Sequence, residues 1–241
     1  MNNLKEKMIG EIVAEDYRTA SVFKNYGIDF CCHGNRSIEE ACVPQKINRE
    51  KLVSELKEIT KQRPQITSDF QSWPLDLLIN YIEKKHHRYV KSQLPVLQEY
   101  LEKLCKVHGD KHPELFEIKE LFANSSTEFM VHMQKEEKVL FPFIMKMADQ
   151  NTEKNLSVNA AFGSVAMPIS SMMHDHDTEG ERFRKIKELS DNYTTPDDGC
   201  NTYRVAYSLL QEFENDLHLH IHLENNILFP KAIEMEAGLK N

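Results

Sequence analysis

One eleven-residue pattern occurs twice in this chain, and it constrains the fold more than any other feature. His132, Glu136, Leu140, Phe141 and Pro142 recur as His220, Glu224, Leu228, Phe229 and Pro230, so that each copy reads H-x3-E-x3-L-F-P at an offset of 88 residues. A second pair, His87 and His176, is 89 residues apart. The repetition suggests two helical hairpins, each with one single-histidine helix and one His-x3-Glu helix.

In a helix, residues four apart share a face. The apolar stripe of the first copy runs Leu115, Ile118, Phe122, Phe129, His132, Glu136, Val139, Phe143 at steps of three or four, apart from a longer one between Phe122 and Phe129. The second runs Ala206, Leu210, Phe213, Leu217, His220, Glu224, Ile227. The polar pairs therefore fall on seams that should face a core. A carboxylate in a core is costly unless it is paired or bound to metal. Two carboxylates and four histidines together call for cations. Two metal ions, bridged by the carboxylates and capped by the imidazoles, resolve the cost. Such donors suit iron, zinc, manganese or copper.

The single histidines are read from their stripes. Ile169, Met172, His176, Phe183 and Ile186 share one, which selects His176 over His174. On the first helix, His87 is in phase with Val90, Leu94, Leu97, Leu101 and Leu104, but Leu75, Ile79 and Ile82 point equally to His86. Spacing leaves those two even. A lone helical histidine, or one His-x3-Glu pair, is more often a surface or core residue than a ligand. Duplication on an apolar seam is what favours metal. His218 and His222 are expected to face solvent or a neighbour, His108 and His112 to sit in a turn, and Met130, Met133, Met145, Met147, Met172 and Met173 to fill the core.

Four long helices are expected, at about 73–105, 112–148, 166–191 and 201–236, with Ser72 as a cap and Pro74 in a first turn. The breaks VHGDKHP, DQNTEKNLSVNAAFGS and DNYTTPDDGC are rich in turn residues. The middle one makes an unusually long loop, of a kind often functional or mobile. Four such helices suggest an up-down bundle. A small helical domain over 1–62 would precede this bundle over 73–236, with helical spacing at Ile9, Ile12, Val13, Ala20 and Phe23 and again at Leu52, Leu56 and Ile59. The fold class is all-α. Scarce Gly (8) and Pro (9) agree with that. A net charge of −8 argues against nucleic acid or an anionic membrane as partner. With no apolar run of signal-peptide or membrane-spanning length, the expected place is the cytoplasm. Five cysteines, an odd count, do not read as a secreted disulfide framework.

With these residues in hand, the second domain resembles hemerythrin-like domains. The H-x3-E-x3-L-F-P repeat together with the DFCC segment at Cys31 and Cys32 resembles the iron–sulfur cluster repair di-iron proteins, the repair-of-iron-centres family. The resemblance covers nearly the whole chain. It implies His87, six residues before Gln93-Leu94-Pro95, as first-helix ligand, with His132, Glu136, His176, His220 and Glu224. It implies two irons bridged by the two glutamates and an oxo or hydroxo group. The departure is His33, where the family has glycine. An imidazole there could tune the thiols or add a metal-binding nitrogen.

The function implied is repair of iron–sulfur clusters damaged by nitric oxide or oxidants, by supplying iron, more an iron-donating protein than a conventional enzyme. The partners would be damaged or apo iron–sulfur proteins. Cys31 and Cys32 would accept iron, exchange disulfides or dock a target, and Cys42, Cys105 and Cys200 would be inert. Glu128 and Asp175 could guide iron or protons, or form a solvated acidic face. Thiols that must reach the irons would need a homodimer or a hinge at RPQITSDFQ. The alternatives are a hemerythrin-like binder or sensor of oxygen or nitric oxide, and a di-iron nitric oxide reductase.

Overall fold

The computed structural model describes residues 7–61, 69–149 and 164–239. Most of the long connection expected after the second bundle helix, residues 150–163, and most of the expected hinge, residues 63–68, lie outside the described residues. The architecture is all-α. Among the described residues there is no strand, only an isolated antiparallel bridge between Met8 and Ser37. No described helix is long and apolar enough to cross a membrane.

Four short helices come first: α1 (Ile9–Glu15), α2 (Thr19–Asn25), α3 (Ile38–Gln45) and α4 (Arg49–Lys61). Four long ones follow. Helix α5 (75–108) runs through Leu75–Tyr81, a π-helical stretch Ile82–His87, and Arg88–His108. Helix α6 (114–148) runs through Glu114–Lys135, a π stretch Glu136–Leu140, and Phe141–Ala148. Helix α7 is Ala166–Leu189. Helix α8 (201–239) runs through Asn201–Leu223, a π stretch Glu224–Leu228, and Phe229–Leu239. Ser72, expected as a cap, lies instead in a 3-10 turn (Phe70–Ser72) that Asp69 caps by accepting its backbone N–H.

The chain forms two compact units, Met1–Leu78 with Ile221–Asn241, and Ile79–His220. The first has its core in Ile9, Ile12, Val13, Phe23, Ile38, Leu52 and Leu56. Helix α3 starts on a capping box: Ser37 Oγ accepts from the Glu40 N–H, and Glu40 accepts from the Ser37 N–H. Gly10 and Gly34 allow close backbone approach, since a Cβ at Gly10 would lie 2.3 Å from Asn226 Oδ1 and one at Gly34 2.5 Å from the Phe30 carbonyl oxygen. Lys231 donates to the carbonyls of Gln71 and Trp73.

The second unit is built around Phe213. Its ring lies 5.6 Å from Phe122, 6.2 Å from Phe129, 5.6 Å from Phe183 and 6.2 Å from Tyr89, so all four long helices meet on one aromatic side chain. Two features of the expected seams need correction. Val139 is exposed and Phe143 half-buried, while Leu140, Phe141 and Ile144 are buried. The π stretch beginning at Glu136 adds one residue to the turn and shifts the inward face by one position. Met130 and Met145 are exposed, and only Met133, Met147 and Met172 of the expected core methionines are fully buried.

Candidate metal centre

Each π stretch carries or abuts a candidate ligand. His87 ends the first, Glu136 opens the second just past His132, and Glu224 opens the third one turn past His220. His176 comes from the regular helix α7. All six side chains are buried, Glu136 and Glu224 completely. The structure brings His87 and not His86 into the donor group. His86 is equally buried, but its Nδ1 lies 3.1 Å from Asp216 and its ring stacks on that of His220. His174 is exposed.

The outer ring nitrogens fix which nitrogen faces inward. His87 Nδ1 donates to Glu137 at 2.8 Å, and Glu137 also accepts from Lys91. His132 Nδ1 donates to Asp175 at 3.2 Å, and Asp175 accepts from Lys135 as well. The Nε2 atoms then carry the lone pairs and point into the core, an arrangement typical of metal-bound histidine. His87 Nε2 is 3.4 Å from one oxygen of Glu136 and His132 Nε2 is 3.3 Å from the other. His132 Nε2 and His176 Nε2 face each other at 3.0 Å. Burial pushes Glu137 up, yet the hydrogen bonds from Lys91 and His87 outweigh it and hold its carboxyl below the usual range. The hydrogen bond from His132 leads in holding Asp175 down at about 2.

Two donor groups result. His87, Glu136, His220 and Glu224 offer atoms all within 4.8 Å of one another, and so do His132, Glu136, His176 and Glu224. Both glutamates belong to both groups. Neutral imidazoles with buried carboxylates are a donor set that could hold first-row divalent metal. A cavity of about 180 Å³ reaches His132 and His176, with Glu128, Lys135, Asp175 and Glu179 among its lining residues. Glu179 is a buried neighbour that periodicity could have revealed, since it lies three residues past His176 and four before Phe183. Burial raises its pKa, Ser125 donates to it at 2.5 Å, and Arg182 pairs with both it and Glu128.

The vicinal thiols lie in the first unit. Both are buried, with their sulfurs 3.8 Å apart. Asp29 Oδ1 accepts from the backbone N–H groups of Cys31 and Cys32, each at 3.0 Å, and lies 3.3 Å from Cys31 Sγ. His33 Nδ1 donates to Asp29 Oδ2 at 2.9 Å. The hydrogen bond with Cys32 and then burial push the Cys31 thiol well up. Among the described residues positive φ occurs at Lys46, Asp191, Asn192, Tyr193 and Gly27, so His33 occupies ordinary backbone that needs no glycine. Asn225 and Asn226, on the helical turn that begins with Glu224, donate to the Cys31 carbonyl, and Asn226 also to that of Phe30. His222 is buried beside Asn226, Tyr17 and Phe30. Cys42 and Cys105 are buried with thiol pKa raised, as inert cysteines should be. Cys200 is not of that kind. It is exposed, 3.2 Å from His108 Nε2, and its thiol is lowered to about 7, chiefly by that hydrogen bond.

Residues 78–232 match the profile of the hemerythrin HHE cation-binding domain, and residues 5–60 match ScdA_N, a domain of unknown function. The iron–sulfur cluster repair protein YtfE of Musicola paradisiaca is 35% identical over 97% of this chain and 99% of its own length. The iron–sulfur cluster repair protein ScdA of Staphylococcus haemolyticus is 32% identical over 94% of this chain and 97% of its own. The chain belongs to the iron–sulfur cluster repair protein family. Its bundle is therefore a hemerythrin-like cation-binding domain, and the buried histidine–glutamate groups inside it could hold metal. Family membership and the all-α, hemerythrin-like fold agree with the reading of the sequence.

Proposed function

We propose that this chain is a di-iron protein of the cytoplasm that restores iron–sulfur clusters damaged by nitrosative or oxidative stress, by supplying iron to damaged or apo iron–sulfur proteins. In this reading residues 1–62 form the thiol-bearing domain and 73–236 the iron domain. His87, Glu136, His220 and Glu224 would hold one ion, and His132, Glu136, His176 and Glu224 the other. The observation that carries the reading is the pair of buried four-donor groups sharing both glutamates, in a chain whose relatives are iron–sulfur cluster repair proteins over nearly their full length.

The residues of the chain suit holding and yielding a cation. Glu137 and Asp175 keep His87 and His132 oriented through Nδ1. Neutral imidazole binds Fe(II) less firmly than thiolate, and proton uptake by imidazole loosens metal. Glu128 and Asp175 line the cavity at His132 and His176, which gives a departing cation an acidic route. To test the proposal, holo protein carrying labelled iron is mixed with an apo or nitric-oxide-damaged iron–sulfur protein. The label should move and cluster activity should return. Label that stays with this chain, without recovery of the target, overturns iron supply. A stable, reversible gas adduct on the same sample would point instead to a hemerythrin-like binder.

A further inference from the structure

We propose that Asp29, Cys31 and Cys32 form a second metal site, which takes one tetrahedral Zn(II) ion and leaves a fourth position for a ligand from outside the chain. The proposal stands on its own donors and goes beyond the iron-supply reading.

The three donor atoms lie within 4.8 Å of one another, and their spacing fits a metal. An ion bound tetrahedrally to sulfur at about 2.3 Å sets its sulfurs about 3.8 Å apart. The Cys31 and Cys32 sulfurs are 3.8 Å apart. With oxygen at about 2.1 Å, the same geometry sets sulfur and oxygen about 3.6 Å apart, and Cys31 Sγ lies 3.3 Å from Asp29 Oδ1. The backbone N–H groups of Cys31 and Cys32 hold Asp29 Oδ1 in place, and His33 Nδ1 holds Oδ2. Histidine–carboxylate pairing of this kind orients a ligand from outside the coordination sphere. The turn is fixed in turn by Asn225 and Asn226 on its carbonyls, and by Gly34, which leaves no room for a Cβ. An Asp-centred turn explains the carboxylate. It does not explain two adjacent buried thiols converging on it, because serine or alanine would fit the same backbone.

Binding exchanges two S–H bonds for two metal–sulfur bonds, and the two protons go to solvent. No electron moves. Thiolates favour soft and borderline ions over magnesium or calcium.

Cobalt(II) is the probe, added to full-length protein whose bundle has first been loaded with iron. Histidine and carboxylate ligands give no thiolate-to-cobalt charge-transfer band, so that absorption reports the thiols alone. The expected result is a band that saturates at one cobalt per chain. Cys32→Ser, close in shape to the native residue, should abolish it, and Asp29→Asn should weaken cobalt binding about tenfold or more. Iron content, measured on each sample, should not change. Circular dichroism identifies any variant that fails to fold. No band in the wild-type protein overturns the proposal, and so does a band that survives the double substitution of Cys31 and Cys32 by Ser. Neither result bears on the iron of the bundle, which the parallel metal analysis follows.

Discussion

Glu136 illustrates how a single buried side chain limits what a site can be. Burying a carboxylate costs on the order of several kcal/mol unless positive charge compensates it, and here two fully buried glutamates share one core with four imidazoles. The sequence carried that conflict openly, because the duplicated motif put both glutamates on apolar stripes. The outer partner of His87 was not legible. Glu137 lies off the seam, and its hydrogen bond spans 50 positions, a contact that no spacing rule within one helix reveals. Cys200 was unreadable for a similar reason. Its lowered thiol pKa comes chiefly from a hydrogen bond to His108, 92 positions away at the end of α5. Because the Cys200 thiol is lowered to about 7, it should be the fastest of the five cysteines to alkylate at neutral pH. Alkylation followed by mass spectrometry across pH should give a midpoint near 7 for Cys200. His108→Gln should move that midpoint up by about one unit or more.

Within the helices, the evenness of His86 and His87 had a structural cause. Leu75, Ile79 and Ile82 are in phase with His86, whereas Val90, Leu94 and Leu97 are in phase with His87. The π stretch Ile82–His87 joins the two phases by adding a residue. A slip of one residue in an otherwise regular stripe is thus the sequence signal of the π turn. The same slip after Glu136 moved the buried seam from Val139 to Leu140. Deleting the exposed Lys138 should close the π turn into ordinary helix while keeping the apolar seams on both sides inward. Helix content by circular dichroism should remain near wild type, and metal retained through dialysis should fall about tenfold or more, because the tighter turn draws the Glu136 carboxylate out of its place between His87 and His132. Unchanged metal content would mean that the π turn does not set the donors. Phe213 tests the bundle apart from its metal. Its replacement by Ala should cost about 3–5 kcal/mol in urea unfolding of the apo protein, since its ring packs on aromatic rings of the other three long helices.

At the level of the whole molecule, helix α8 carries His220 and Glu224 and then, on the next two positions, the Asn225 and Asn226 amides that hold the Cys31 carbonyl. The class of fold and the four long helices were legible because seams, caps and turns are local. The division into compact units was less so, since it joins the end of α8 to the N-terminal helices across more than 140 intervening residues. That pairing rests on contacts such as Asn226 against Gly10 and Gly34, which leave no periodic trace. The acidic balance of −8 suits a protein that handles cations. Everything at this scale depends on whether iron occupies the bundle. The most direct test is metal analysis of natively purified protein beside the double variant Glu136→Ala, Glu224→Ala. The account predicts two irons per chain in the native protein, and a variant that has lost them and melts at lower temperature. Native protein without bound transition ions, or a double variant with undiminished iron, would contradict it.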